Sequence, residues 1–231
     1  MTIFSDLQSQ ANPEQAAILQ RFFKTGKGEY GEGDIFLGLK VPVQRMIAKQ
    51  HLKLDFAILQ EMLDSQIHEY RMTALFILVL RNVKADQTMK DQIFDFYVKN
   101  TRNINNWDLV DLSAPNVVGN YLLERDKKLL YTFAKSKNLR EKRIAIISTF
   151  AFLRVGEYTD TFQIAEILLH DTHDLIHKAV GRMLREVGKR SQFEEEKFLK
   201  KHYKTMPRTM LRYAIEKFPE DLRQRYLKGK V

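Results

Sequence analysis

The sequence predicts an all-α chain organised as a helical-repeat solenoid, and three observations carry that expectation. Glycine and proline are scarce, 10 and 5 among 231 residues, so little interrupts regular structure. Apolar residues recur at helical spacing almost throughout; Leu175, Ile176, Ala179, Val180, Met183, Leu184 and Val187 form one such stripe. Helices open near 68, 105, 139, 173 and 206, a step of about 35 residues, which is the period of stacked helix pairs. Strand-like alternation is nowhere convincing.

Taken in order, helical patterns cover 13–22, 42–50, 55–64 and 68–81, then 86–100, 105–123, 127–136 and 139–154. They continue over 160–170, the Leu175–Val187 stripe, 191–203, 206–217 and 219–228. Asn, Asp, Gly or Pro punctuates most gaps. The chain reads as a single domain over 1–231, with a flexible Gly-rich loop at about 25–34. Gly26-Lys27-Gly28-Glu29-Tyr30-Gly31 matches a dinucleotide fingerprint by letter only. It follows a helix rather than a strand, and Glu29, Glu32 and Asp34 would repel phosphates. Phe94, Phe96, Tyr97, Phe150 and Phe152 are expected in the core between repeats.

Composition narrows the partner. Hydrophobic residues make up 44%, enough for a globular core, and 38 Lys plus Arg against 29 Asp plus Glu leave a net charge of +9. The expected partner is polyanionic, nucleic acid before an anionic membrane surface. Cysteine is absent, which excludes disulfides and Cys-based zinc sites. The N-terminus lacks the pattern of a signal peptide, and the longest apolar run, Ala74 to Leu80, is too short to span a bilayer. The expected location is therefore the cytosol or nucleoid. No heptad seam is visible, so a monomer is expected.

The repeats align internally. Arg71, Arg143, Lys178 and Arg212 occupy matching positions, and a concave face carrying that column would track a phosphate backbone. Lys178, Arg182, Arg185 and Lys189 fall at i, i+4, i+7 and i+11, opposite the apolar stripe of their helix. Arg71, Lys178, Arg182, Arg185, Lys189, Arg208 and Arg212 are the candidate DNA contacts. A solvated outer face with ordinary charge is the plainer alternative.

One repeat breaks the column with Trp107. Asn105 is expected to cap its helix, with Asp108 at the capping-box position. Asp111 lies past the first turn and shares a face with Trp107, at i and i+4. A carboxylate in a basic groove could stabilise positive charge building on a sugar as an N-glycosidic bond breaks, and an indole offers its π-face to a cationic base. Arg143 could hold Asp111 ionised. The alternative is a half-buried Trp beside a surface Asp paired with an Arg. His170, His173 and His177 with Asp171 and Asp174 resemble metal ligands, but only His173 and His177 share a helix face, and Asp171 or Thr172 suits an N-cap better.

Four segments then resemble the AlkD family of bacterial DNA glycosylases in order and spacing, across nearly the whole chain. They are Phe36-Leu37-Gly38-Leu39-Lys40-Val41-Pro42, Trp107-Asp108-Leu109-Val110-Asp111, Lys178 through Glu186, and Leu211-Arg212-Tyr213-Ala214-Ile215-Glu216-Lys217-Phe218. The resemblance implies a HEAT-like solenoid that excises cationic 3- and 7-alkylpurines from duplex DNA without base flipping, using no metal or other cofactor. It implies Asp111 as the catalytic carboxylate, Trp107 as a lesion-side tryptophan and Arg143 as the arginine beside the carboxylate. Two positions depart from the family: Arg182 stands where it has a second tryptophan, and Phe22 where it often has tyrosine. A HEAT-like protein that binds damaged or branched DNA without cleaving it is the alternative, and a protein-binding scaffold is a third.

Overall fold

The computed structural model describes residues 2–231. They form helices joined mostly by short connections, the long segment 23–40 excepted, and no strand occurs among the described residues. They divide into two compact units, the first ending at Ser113 and the second spanning Ala114–Val231.

The first unit contains α1 (Ile3–Gln8), α2 (Pro13–Phe22), α3 (Val41–Gln50), α4 (Phe56–Asp64), α5 (His68–Lys84) and α6 (Gln87–Lys99). It ends within α7 (Trp107–Ala114). Helix α1 has no counterpart among the expected helices. Its 6 residues bury only Ile3 and Leu7, too few for a periodic pattern, and it is held by a reciprocal cap between Thr2 and Ser5. Helix α5 is the central element and packs against α3 and α4. Leu75, Ile77 and Leu78 are fully buried, and each such side chain stabilises by about 1.5–3 kcal/mol relative to exposure.

The segment before α3 is fastened to the start of α5. Ile35 bridges to Ile67, with the Ile35 amide donating to the Gln66 carbonyl at 2.9 Å and the His68 amide to the Ile35 carbonyl at 2.8 Å. Glu69, 1% exposed, accepts the amides of Leu37 (2.9 Å), Gly38 (2.8 Å) and Leu39 (3.2 Å). Gly38 has φ 86°, and a Cβ there would overlap the Asn12 backbone oxygen, so both conformation and space require glycine. The glycine-rich tip is closed by its own acidic residues. Glu29 accepts the Gly26 amide at 2.8 Å and Glu32 the Gly28 amide at 2.9 Å.

The second unit opens with a π-helical turn, Pro115–Gly119, followed by α8 (Asn120–Leu122), α9 (Lys128–Ala134) and α10 (Leu139–Ser148). It continues through α11 (Phe150–Arg154), α12 (Thr159–Ile167), α13 (Asp174–Gly188) and α14 (Gln192–His202). It ends with α15 (Arg208–Ala214), a 3₁₀ turn at Ile215–Lys217 and α16 (Glu220–Leu227). Two expected helices are broken. The 105–123 pattern gives way to the π turn at Pro115, which has no N–H to continue the ladder. The 139–154 pattern divides at Thr149, whose hydroxyl bonds the Ile146 carbonyl at 2.7 Å. The stripe read on α13 is buried from Ile176 to Val187, while Leu175 is half-buried, and this helix packs on α10, α14 and α15. At Gly181 the α15 backbone comes so near that a methyl would overlap the Met210 carbonyl oxygen and Tyr213 Cβ.

The aromatic expectation divides. Tyr97 and Phe152 are fully buried, whereas Phe94, Phe96 and Phe150 are half-buried. No helix among the described residues is long and apolar enough to cross a membrane.

Candidate functional site

The site in the first unit is built around the start of α7. Its cap differs from the sequence expectation. The Trp107 amide is accepted by the Asn106 side chain at 2.8 Å, so α7 begins two residues after Asn105. Asn105 instead donates through Nδ2 to Asp34 Oδ1 at 2.6 Å. Asp108 does not form a capping box with Asn105. Its Oδ2 lies 2.9 Å from His68 Nε2.

These bonds belong to a buried charged network that sequence reading misses. His68 is 2% exposed and Asp34 2%, and the two meet at 3.2 Å through His68 Nδ1. Arg71 Nη2 lies 2.6 Å from Asp34 Oδ1, and its Nη1 donates to the Ser65 carbonyl at 2.5 Å. Burial alone would depress the His68 imidazolium. The Asp108 carboxylate, reinforced by hydrogen bonds to Asp108 and Asp34, outweighs burial and the opposing Arg71 charge and lifts it to about 9. Burial alone would likewise raise Asp34, but the His68 hydrogen bond, the Arg71 charge and the Asn105 bond hold it below its ordinary range. His68 therefore joins the 25–34 loop, α5 and α7 through two carboxylates. The only sequence signal was a His-Glu-x-Arg run at the start of α5, and nothing in its spacing names Asp34 or Asp108 as partners.

The indole has a firm support. Trp107 stacks on Phe23 at 5.6 Å and 25°, and Phe22 meets it edge-on at 6.3 Å. Phe23 in turn stacks on Phe36 at 5.1 Å, and Phe36 on His68 at 4.6 Å. Trp107 is half-buried, whereas Phe22 is 62% exposed. Asp111, one turn further along α7, is also half-buried. Its charge is felt by Tyr97, whose phenol is raised first by burial, opposed by its 2.8 Å hydrogen bond with Ser113, and raised further by Asp111.

The basic residues do not form one uniform column. Arg71, expected among the DNA contacts, is 5% exposed and committed to Asp34 and Ser65, so it is not presented to a phosphate. In the second unit Arg143 is 6% exposed and donates to the Leu175 carbonyl at 2.7 Å. On α13, Lys178 pairs with Asp174 at 2.6 Å, Arg185 with Glu216, and Lys189 with Glu186 at 2.6 Å. Arg182 is half-buried between them on the helix, and Arg208 and Arg212 on α15 are exposed.

The histidines of the second unit have local tasks. His173 caps α13 by accepting the Leu175 amide, which corrects the expected cap at Asp171 or Thr172. His177 meets the Asp171 carbonyl at 2.5 Å, while the Asp171 carboxylate pairs with Lys142 at 2.6 Å. No group of three or more His, Asp or Glu among the described residues is arranged to hold a metal ion.

The described residues thus form an all-helical fold that holds a stacked indole and a carboxylate one turn apart on α7. The chain belongs to the DNA alkylation repair enzyme family, whose pattern matches residues 3–218. A solved structure described as a predicted DNA alkylation repair enzyme from Enterococcus faecalis has the same fold, with a TM-score of 0.71 at 17% identity. That likeness covers 91% of this chain and 98% of the other. No curated protein matches the chain.

Proposed function

We propose that this DNA alkylation repair enzyme is a glycosylase that hydrolyses the N-glycosidic bond of cationic 3- and 7-alkylpurines in duplex DNA, acting as a monomer without base flipping or a cofactor. The observation that carries the reading is the placement of Trp107 and Asp111 on one face of α7, with Trp107 braced on Phe23. Departure of the base leaves cationic character on the deoxyribose. An anion fixed beside that sugar stabilises the transition state more than the ground state. Asp111 supplies that anion and orients the attacking water. Trp107 presents its π-face to the cationic base. By the family resemblance Arg143 is the arginine that accompanies such a carboxylate, and Lys178, Arg182, Arg185, Lys189, Arg208 and Arg212 hold the phosphate backbone.

The reading is tested by base release from duplexes containing 7-methylguanine or 3-methyladenine. Asp111→Asn should lower the release rate by about 10²–10³, the usual effect of removing one transition-state contact. Release unaffected by that change would remove Asp111 from its role. A specific observation favours a second reading: Arg182 stands on α13 where the family resemblance calls for a second tryptophan. Tight, salt-sensitive DNA binding with no release from either duplex would select a binding protein for damaged DNA.

A further inference from the structure

Beside α7 the first unit holds a cavity of about 250 Å³ reached from α2, α3 and α5. Phe22, Phe23, Phe36 and Met72 are among its walls, and Gln44, Asp108, Lys40 and His68 are among its polar lining, His68 being committed to Asp34 and Asp108. Its polar groups are unevenly used. Glu69, which also lines it, is saturated by three backbone amides. Gln44 is 3% exposed and spends Nε2 on the Leu39 carbonyl at 2.9 Å, but its Oε1 is buried with no hydrogen-bond partner. A buried acceptor without a donor is an unmet requirement, and native structures leave few of them. Flat aromatic walls, an open acceptor and the edge of a carboxylate together ask for a planar ligand that carries N–H groups.

We propose that this cavity binds a free, uncharged nitrogen heterocycle bearing N–H donors, the chemical class of a nucleobase released from its sugar. Its volume lies just below the range of about 300–1,000 Å³ typical of sites for drug-sized ligands, which suits a base better than a base with its sugar attached. Naming the natural ligand as the excised alkylpurine rests on the glycosylase reading; the preference for a flat N–H donor does not. The cavity would then retain the product next to the stacked indole, and free base would compete with the next turnover.

Trp107 is the single tryptophan of the chain and packs on Phe23, a wall of the cavity, so its emission reports occupancy. The full-length protein is titrated with 7-methylguanine, with 3-methyladenine and with 2′-deoxyadenosine, and equilibrium dialysis provides a second readout. Saturable binding of the free bases, with the nucleoside much weaker, is the expected result. Gln44→Leu should weaken base binding about tenfold, the effect of one net hydrogen bond. Phe22→Ala, at a 62% exposed position that does not endanger folding, should weaken it as well. Asp111→Asn should leave binding intact while base release is lost. Binding without any base release in the wild type would remove the glycosylase reading and keep the cavity assignment. No saturable response up to millimolar base, equal affinity for the nucleoside, or unchanged binding in both Gln44→Leu and Phe22→Ala would overturn the assignment.

Discussion

His68 Nε2 and Asp108 Oδ2 stand 2.9 Å apart, joining the first residue of α5 to the first turn of α7. The imidazolium is raised to about 9 when folded, above its ordinary 6.5. A raised cation stabilises fully below the unfolded value and loses that contribution as pH climbs through the folded one. Melting measured from pH 6 to 10 should therefore show stability falling mainly between about 6.5 and 9, by about 3 kcal/mol. His68→Asn should be less stable at pH 6 and show a flatter profile. An equal slope in both proteins would detach this pair from the pH response.

Glu195 offers the opposite case. It is 1% exposed, with Oε1 unpartnered, and burial with the neighbouring Glu196 charge raises its carboxyl to about 9 despite Arg185. The folded protein keeps this acid neutral at pH 7, while the unfolded chain ionises it, so the difference opposes folding from about pH 4.5 upward. Glu195→Gln removes that opposition. Its melting temperature should exceed the wild type at pH 8 by several degrees and converge with it near pH 4.

Arg182→Trp should raise the excision of cationic methylpurines. Like charges about 4 Å apart repel by about 1 kcal/mol even at water's dielectric constant, and an aromatic face would replace that repulsion by attraction. Single-turnover release of 7-methylguanine from a duplex measures the change. No gain would refute the account of this position.

Arg208 and Arg212 are exposed on α15, and no ion pair holds either among the described residues. Alanine at each should weaken duplex binding by similar factors across sequences and reduce the slope of log affinity against log salt by about 1. Arg71→Ala should act differently, destabilising the fold by leaving buried Asp34 with His68 as its one remaining cationic partner in this network. Fluorescence anisotropy at several salt concentrations, read beside thermal melts, separates the two classes.

Gly181→Ala tests the α13–α15 packing. The added methyl meets the Met210 carbonyl and Tyr213 Cβ, so a backbone rather than a flexible side-chain tip must give way. A loss of about 1–3 kcal/mol is expected in denaturant unfolding, outweighing the gain in helix propensity. A more stable variant would show that the helices can separate without cost.

Much of the fold was readable because helical periodicity is strong where helices are long. The α13 stripe from Ile176 onward lies buried as its spacing indicates, whereas α1 is too short for any periodicity to show. The breaks at Pro115 and Thr149 are local backbone events that an apolar pattern passes over. Trp107 and Asp111 could be singled out because one helix carries both. The partners of His68 could not, since Asp34 and Asp108 lie 34 and 40 residues away in sequence and meet it only through tertiary packing. Charge alone also misassigned Arg71, because a basic residue in helical register looks the same whether it faces a phosphate or a buried aspartate.

Glu69 carries a constraint of its own. Both of its oxygens serve three successive amides, and an ionised carboxylate offers acceptors only. Glutamine would turn an NH₂ toward one of those donors, and aspartate would fall a methylene short. Either near-isostere therefore costs at least one of the three bonds that fasten the 37–39 segment to α5.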